Sequence, residues 1–161
     1  PHALVLIFGD TVRAAEAFDR HIDPEVPRIV LVDTFKDEAE EALRVAEALG
    51  ERLWGVRLDT PSERGRVTPD LVKEVRARLD LAGHAHVKIV VSGGLDSERI
   101  GQFKAAEAPV DSFAVGSAIS DASPIDFTGD LKEIDGRPIA KRGRIPGRTA
   151  NPRLQRLDLA P

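Results

Sequence analysis

The 161-residue sequence has no cysteine, no methionine and no tyrosine, and it contains one tryptophan. The lack of cysteine excludes disulfide bonds, thiolate metal sites and a cysteine nucleophile. With 23 basic and 27 acidic side chains, the formal net charge is −4. A mildly acidic chain with so few aromatic rings does not fit a nucleic-acid-binding surface, which needs basic stripes and stacking aromatics.

Long apolar segments are also missing from the sequence. The longest uninterrupted apolar run, residues 3–8, has six residues, whereas a helix that crosses a bilayer needs about 20. No basic segment precedes this run, as it would in a secretory signal. We therefore expect neither a membrane partner nor a secretion signal. A chain of 161 residues normally forms one domain, and 42% hydrophobic residues can fill its core.

Apolar blocks alternate with charged blocks of helical period along the first two thirds of the sequence. Short apolar runs predict four strands, over residues 28–32, 53–58, 87–91 and 113–115. The segments between them have the apolar stripe of amphipathic helices, over residues 36–49, 68–81 and 96–106. This order predicts an α/β fold in which crossover helices join parallel strands. Residues 3–8 fit either a strand or a helix that breaks at Gly9.

Repeated βα units predict either a (β/α) barrel or a doubly wound sheet. A complete barrel needs about 250 residues and eight strands, so four strands correspond to about half of one. We predict that residues 1–128 form this partial barrel. An Asp-Gly turn at Asp135 and Gly136 predicts a hairpin within residues 129–142. Residues 143–161, rich in arginine, proline and glycine, are expected to form an irregular tail.

Glycines follow two consecutive predicted strands. Ser92, Gly93 and Gly94 end the third strand, and Gly116 and Ser117 end the fourth. Glycine lets the backbone approach a ligand, and free N–H groups at such a turn can bind phosphate. In (β/α) barrels the phosphate site commonly follows the last two strands. The two loops together therefore predict a phosphate-binding site.

Charged side chains follow the second predicted strand. Strand alternation places Arg57 and Asp59 on one face and Trp54 on the other, apolar face that meets the helices. The planar fork of Arg57 suits a carboxylate or a phosphate. Asp59, followed by Thr60, suits a ribose hydroxyl or a hydrated magnesium ion. The alternative is an Arg57–Asp59 ion pair that fills the barrel.

Asp33 and Thr34 follow the first predicted strand. They are either ligand-binding residues or part of a helix start, with Thr34 as the N-cap and Asp37 and Glu38 favouring the positive helix end. The four histidines lack metal-ligand spacing, so no protein metal site is predicted. The basic segment 141–144 is expected to be a solvated turn.

Several short segments, taken in order, resemble nicotinate phosphoribosyltransferases of the shorter archaeal and bacterial type. The resemblance covers residues 1 to about 148 and corresponds to the C-terminal part of that enzyme. The segments are Pro1-His2-Ala3-Leu4, Phe8-Gly9-Asp10, Leu31-Val32-Asp33-Thr34-Phe35, Val56-Arg57-Leu58-Asp59-Thr60, Val91-Ser92-Gly93-Gly94-Leu95-Asp96, Phe113-Ala114-Val115-Gly116-Ser117-Ala118 and Lys141-Arg142-Gly143.

The resemblance implies that nicotinate and 5-phosphoribosyl 1-pyrophosphate condense to nicotinate mononucleotide and pyrophosphate. ATP hydrolysis would be coupled to the reaction, and Mg²⁺ would accompany the pyrophosphate. The implied fold is an irregular TIM-like barrel of the type II phosphoribosyltransferase kind, in a cytoplasmic homo-oligomer. The N-terminal half of the enzyme is missing from the resemblance, so this chain alone is expected to be inactive.

The resemblance also assigns residues. His2 falls on the position of a histidine that is phosphorylated in many members. The resemblance also favours a helix over residues 3–8. Arg57 and Asp59 correspond to the part that handles nicotinate and ribose, and the glycine loops correspond to the phosphate loops. The substrate-binding set implied in this way comprises Asp33, Thr34, Arg57, Asp59, Thr60, Ser92, Gly93, Gly94, Gly116 and Ser117.

Two other functions are compatible with the sequence. The first is a quinolinate phosphoribosyltransferase, which shares the barrel type. It binds a dicarboxylate and should have more basic side chains at the strand ends than Arg57. The second is a non-catalytic phosphate-binding or assembly module that pairs its open sheet edges with another copy.

Overall fold

A computed structural model describes residues 1–121, 129–153 and 155. The chain divides into two compact units, Pro1–Ala122 and Ser123–Pro161. The first unit contains four parallel strands whose order in the sheet follows the chain. These are β1 (Arg28–Leu31), β2 (Leu53–Leu58), β3 (Lys88–Val91) and β4 (Ser112–Phe113). The parallel α/β arrangement predicted from the sequence is therefore confirmed.

Six α-helices lie in the described residues. They are α1 (His2–Phe8), α2 (Thr11–His21), α3 (Glu38–Leu49), α4 (Pro69–Leu81), α5 (Ser97–Ala105) and α6 (Ser117–Ser120). Residues 3–8 are thus helical, and α1 ends where Gly9 adopts a left-handed φ of 69°. The α2 helix begins after Asp10, whose carboxylate accepts a hydrogen bond from the Arg13 N–H. Of the two alternatives for residues 3–8, the helix that breaks at Gly9, which the family resemblance favoured, is the one found.

The start of α3 differs from the sequence prediction. Its N-cap is Asp37, whose carboxylate accepts hydrogen bonds from the N–H groups of Ala39 and Glu40. The prediction of Thr34 as the N-cap is wrong, because the chain first passes through a non-helical segment before it turns into α3. Thr34 is left at the end of β1, and its buried hydroxyl has no partner among the described residues.

The core lies between one face of the sheet and the helices α3, α4 and α5. Alternate strand positions supply it, so the intervening positions face the opposite side of the sheet. The buried residues that line it from the strands and their ends include Val30, Val32, Leu53, Val56, Leu58, Ile89 and Val91. Those that line it from α3, α4 and α5 are Ala39, Ala42, Val45, Ala46, Leu49, Val72, Val75, Leu79 and Phe103, and Ala15 of α2 joins the same cluster. Because this face is wholly apolar, polar side chains of the strands collect on the other face.

The alternation is broken at the start of β2. The β1–β2 register shifts so that Arg28 pairs with Leu53 but Ile29 pairs with Gly55. Leu53 is fully buried and Trp54 is 42% exposed, so the predicted placement of Trp54 against the helices is wrong. An irregularity of this kind inserts one residue and re-aims its neighbours. Regular alternation resumes after Gly55, where an added Cβ would lie 2.8 Å from the Lys88 carbonyl oxygen.

An ion pair joins the start of α2 to α3. Arg44 Nη2 donates to Asp10 Oδ2 over 2.7 Å, and Arg44 Nη1 donates to Glu41 over 2.8 Å. The Arg44 hydrogen bond lowers the pKa of Asp10 below its ordinary value. A carboxyl whose pKa falls on folding stabilises the protein above its unfolded pKa, and this stabilisation is lost as the pH falls through the lower folded value. Both side chains are about a third exposed, so salt weakens the pair.

The second unit contains the predicted hairpin. Its strands, β5 (Glu133–Ile134) and β6 (Arg137–Pro138), are antiparallel and shorter than expected. Asp135 and Gly136 both have positive φ, at 48° and 75°, as a type I′ turn requires. The predicted domain ends at residues 128, 142 and 161 stay predictions, and residues 122–128, 154 and 156–161 lie outside the described residues.

Across the described ranges, no helix combines the length and apolar character needed to cross a membrane.

Candidate functional site

The carboxyl ends of the strands meet at one edge of the sheet, because all four strands are parallel. Backbone hydrogen bonds fix this edge: Val32 N–H donates to the Arg57 carbonyl, and Ser92 N–H donates to the Leu58 carbonyl. The residues that follow each strand are therefore neighbours. They are Asp33 and Thr34 after β1, Asp59 and Thr60 after β2, Ser92, Gly93 and Gly94 after β3, and Gly116 and Ser117 after β4.

Asp33 lies next to His2, which is 31 residues away in the sequence. His2 Nε2 is 3.0 Å from Asp33 Oδ2. An ionised carboxylate only accepts hydrogen bonds, so an ionised Asp33 takes the hydrogen of Nε2, and in that neutral tautomer of His2 the Nδ1 atom keeps its lone pair. The Asp33 side chain is 1% exposed, whereas His2 is 42% exposed. The α1 helix thus presents a half-exposed imidazole whose orientation a buried carboxylate fixes.

Three buried polar atoms at this edge lack partners among the described residues. They are Asp33 Oδ1, Thr34 Oγ1 and Arg57 Nε. Buried polar atoms are nearly always hydrogen-bonded in native proteins, so each unpaired atom requires an explanation such as a ligand or water. Strand alternation places Asp33, just after β1, and Arg57, in β2, on the side of the sheet away from α3, α4 and α5. The site therefore holds a donor, Arg57 Nε, and an acceptor, Asp33 Oδ1, that a ligand could use.

Arg57 and Asp59 form a loose pair. Arg57 Nη2 is 3.6 Å from Asp59 Oδ2, which is an ion pair but too long for a hydrogen bond. Both side chains are partly exposed, at 36% and 26%. The alternative of an ion pair that fills the barrel is therefore realised only weakly. Much of the guanidinium fork stays available to an anion.

The hydroxyls of Thr60 and Ser92 are used inside the protein. Thr60 Oγ1 donates to Glu38 Oε1 over 2.7 Å, and Ser92 Oγ donates to the Leu58 carbonyl over 3.1 Å. Each hydroxyl can then only accept a hydrogen bond from a ligand. Their predicted role in substrate binding stays a prediction. The contacts found here hold the loops after β2 and β3 in place.

Glu38 is a residue that sequence reasoning did not assign to the site. It is 2% exposed in the first turn of α3, where it accepts from Thr60 and lies 3.5 Å from Arg64 Nη2. From the sequence, its position at a helix start predicts only a favourable interaction with the helix dipole. The contact that gives it a second role spans 22 residues and depends on the packing of α3 against β2.

The two glycines after β3 have both unusual backbone and close neighbours. Gly93 and Gly94 have φ of 90° and 61°. A Cβ on Gly93 would lie 2.8 Å from Asp59 Oδ1, and one on Gly94 would lie 2.5 Å from Arg66 Nη1. Glycine is thus required for conformation and for the approach of two charged side chains. Arg66 was missed from the sequence, because it lies in a loop without periodicity.

The loop after β4 is more open. Gly116 has a φ of −120°, and no described atom lies within 4 Å of a Cβ built on it. Ser117 begins the four-residue α6 and is exposed. Both residues lie at the same sheet edge as Gly93, as predicted, since Ala114 N–H donates to the Val91 carbonyl. Nothing in this loop explains why residue 116 is a glycine.

The fold and the site together define a class of protein. A parallel βα repeat carries paired glycines, an arginine and carboxylates at the carboxyl edge of its strands, as in (β/α)-barrel enzymes that bind phosphorylated ligands. The family model of the quinolinate phosphoribosyl transferase C-terminal domain matches residues 1–130. The chain belongs to this family. The TIM-like fold class expected from the sequence is confirmed by this match.

Individual relatives agree with the family. The chain is 35% identical over 156 residues to a nicotinate phosphoribosyltransferase of Mycobacterium tuberculosis, covering 91% of this chain and 32% of the relative. It is 32% identical over 123 residues to that of Bacillus subtilis, covering 73% and 24%. A crystal structure of nicotinate-nucleotide pyrophosphorylase from Pyrococcus furiosus is 52% identical with a TM-score of 0.73, covering 92% and 37%.

The shares of length matter for what the chain can do. It spans between a quarter and about a third of the curated relatives it matches. The relatives are nicotinate phosphoribosyltransferases, and the resemblance inferred from the sequence is confirmed.

Proposed function

We propose that this chain supplies the carboxyl-edge half of a nicotinate phosphoribosyltransferase active site. The observation that carries the proposal is Arg57, whose Nε has no partner among the described residues and whose Nη2 is only loosely paired with Asp59, which itself lies against Gly93. An anion-binding arginine, a hydroxyl-binding carboxylate and a glycine loop then occupy one edge. These three groups match nicotinate, ribose and phosphate in turn.

The proposed reaction needs no side-chain nucleophile. The pyridine nitrogen of nicotinate forms a bond to the anomeric carbon of 5-phosphoribosyl 1-pyrophosphate, and the carbon–oxygen bond to pyrophosphate breaks. Pyrophosphate leaves with the bonding electrons through an oxocarbenium-like state. The protein mainly holds two anionic substrates in register and stabilises the departing charge. In this scheme Arg57 binds the nicotinate carboxylate, and Asp59 accepts from a ribose hydroxyl.

Magnesium fits this arrangement as an ion carried by the substrate. The described residues contain no group of three side chains that could hold a metal ion. Mg²⁺ commonly binds through one or two carboxylates together with substrate phosphates. Asp59 is partly exposed beside the glycine loop and is suited to this role. The bound ion would offset the negative charge of the leaving pyrophosphate.

We also propose that ATP coupling runs through His2. With Nε2 hydrogen-bonded to Asp33, the lone pair of Nδ1 can accept a phosphoryl group. The free oxygen of Asp33 is buried and can take a hydrogen bond when the imidazole shifts. Full activity would need the remainder of the barrel and a homo-oligomer, so the chain alone is proposed to bind without turning over.

Calorimetric titration of the chain with nicotinate mononucleotide tests the proposed function. Saturable binding is expected, and the riboside that lacks the phosphate should bind at least tenfold more weakly, because charge-assisted hydrogen bonds to phosphate are lost. Equal binding of the two ligands, or no binding of either, would contradict the proposal for this chain.

The family description favours one second candidate, a quinolinate phosphoribosyltransferase. Quinolinate carries a second carboxylate beside the first, which would need a second cation next to Arg57. Titration with quinolinate separates the two candidates. Saturable quinolinate binding that excludes nicotinate mononucleotide would favour the second candidate, and an absence of quinolinate binding would favour the first.

Replacing Gly93 by alanine is expected to lower the affinity for nicotinate mononucleotide about tenfold. Alanine is strained at a φ of 90°, and its Cβ would displace Asp59 Oδ1. The measurement is the same titration, accompanied by thermal unfolding. Gly101→Ala in α5 is the matched control, because a Cβ there meets no atom within 4 Å. It should leave affinity unchanged, and equal affinities for the two variants would contradict the prediction.

A further inference from the structure

Arg66 lies in an unusual turn between β2 and α4. Its φ is 65°, a left-handed conformation that residues other than glycine rarely adopt. The turn is fixed by two hydrogen bonds, from Arg66 N–H to the Pro61 carbonyl and from Gly65 N–H to the Ser62 carbonyl, each 3.0 Å. Strained backbone that the surroundings hold in place is concentrated at binding sites, and it is a reason to ask what Arg66 does.

The strained turn directs the Arg66 side chain over the glycine loop of β3. Nη1 lies 2.5 Å, and Cζ 3.6 Å, from the position of a Cβ on Gly94. Within residues 1–121 and 129–153, Arg66 makes no ion pair with a carboxylate, whereas Arg57 pairs with Asp59 and Arg64 with Glu38. Glu63, in the same turn, accepts hydrogen bonds from its own backbone N–H and from the Ser62 hydroxyl, and these bonds together with the nearby charge of Arg66 lower its pKa. Arg66 is therefore an exposed cation that feels Glu63 but makes no direct ion pair within the described residues, and it lies beside the loop.

The glycine loop has its own unused donors. Ser92 N–H is bonded to the Leu58 carbonyl, but the N–H groups of Gly93 and Gly94 donate to no acceptor in the described part of the chain. A guanidinium edge next to two free N–H groups, with no side chain between them, is an arrangement that favours a tetrahedral oxyanion. A phosphate monoester carries up to two negative charges and can use both kinds of donor.

We propose that Arg66 determines specificity for the phosphate monoester of a mononucleotide by closing over the Gly93–Gly94 loop. This inference rests on the proposed function, since it places the ligand's phosphate at that loop. Arg66 belongs to the βα unit that precedes the one with the loop, so it would contact the phosphate from the side. Its role is to distinguish a phosphorylated ligand from the corresponding nucleoside.

The test compares two ligands and two arginine variants of the full chain. Arg66→Gln should weaken nicotinate mononucleotide binding about tenfold and leave the riboside unchanged, because one charge-assisted contact to phosphate is lost. Arg78→Gln is the matched control. It removes the same charge from the last turn of α4, where Arg78 is half-exposed and pairs with Glu74. It should change neither affinity.

Two further variants separate binding from folding. Arg66→Gly relieves the left-handed strain, so its Tm should not fall, yet it should lose the same phosphate affinity. Arg66→Lys keeps the charge without the planar fork and should give an intermediate affinity. Unchanged mononucleotide affinity in Arg66→Gln and Arg66→Gly, or equal weakening of both ligands, would overturn the role of Arg66 while the proposed function stands. A wild-type chain that does not prefer the mononucleotide over the riboside would overturn both.

Discussion

Replacing Arg57 by alanine is expected to weaken nicotinate mononucleotide binding roughly 100-fold, since two charge-assisted hydrogen bonds to the carboxylate are lost. The side chain is well suited to this role, because its Nε has no partner in the part of the chain that the structure describes and its Nη2 is only loosely paired with Asp59. The loss should be confined to ligands that carry the carboxylate. Nicotinamide mononucleotide, which has a neutral amide at that position, should bind both proteins about equally.

Calorimetric titration with the acid and the amide mononucleotide therefore tests the prediction through the ratio of their two dissociation constants. The wild-type chain should prefer the acid, and Arg57→Ala should lose that preference. Arg57→Lys keeps the charge but not the fork, so it should recover only part of the preference. If Arg57→Ala weakens acid and amide alike, Arg57 supports the fold or another ligand group. If the acid affinity is unchanged, Arg57 does not bind the carboxylate.

The sheet and the edge that carries the site could be predicted from local signals. Apolar runs of four to six residues marked β1, β2 and β3, and glycines marked the loop after β3. Parallel strands bring all their carboxyl ends to one edge, so residues such as Asp33 and Asp59 become neighbours whatever separates them in sequence. The parallel topology thus brings four motifs that are separate in the sequence together in one candidate site.

The residues that sequence reasoning misplaced depend on details that a pattern cannot carry. Trp54 leaves the core because the β1–β2 register shifts by one residue, which no alternation rule foresees. Thr34 is not the N-cap because Asp37, three residues later, has a carboxylate that reaches the first-turn N–H groups. Both outcomes depend on the residue at which a strand or a helix begins. A sequence pattern places that boundary only to within one or two residues.

The residues that sequence reasoning missed act across elements. Glu38 contacts Thr60 from a helix packed on another strand, and Arg66 reaches Gly94 from a neighbouring loop. Neither has a motif around it, because each contact is made by tertiary packing. His2 also makes a contact between distant segments, since it lies 31 residues from Asp33 in the sequence. Only the family resemblance indicated His2 as a site residue.

Replacing His2 by alanine is expected to abolish labelling of the chain by ATP that carries a labelled γ-phosphate, in the presence of Mg²⁺. The proposed step breaks the bond between the γ-phosphorus and the ADP oxygen and forms a bond to Nδ1, and ADP leaves. Nδ1 is the available nitrogen because Nε2 donates to Asp33. The phosphoramidate is acid-labile and alkali-stable, so the stability of the label identifies the residue type. Mass spectrometry of the labelled peptide then locates it.

The controls decide whether the imidazole is merely exposed or is oriented for transfer. His21→Ala removes another exposed histidine, at the end of α2, and should leave labelling unchanged. Asp33→Asn keeps the shape of the side chain but removes its charge, so it should reduce labelling about tenfold. Label that persists in His2→Ala would exclude His2 as the acceptor. Full labelling of Asp33→Asn would mean that exposure of the imidazole suffices, and that the buried carboxylate serves the fold rather than the transfer.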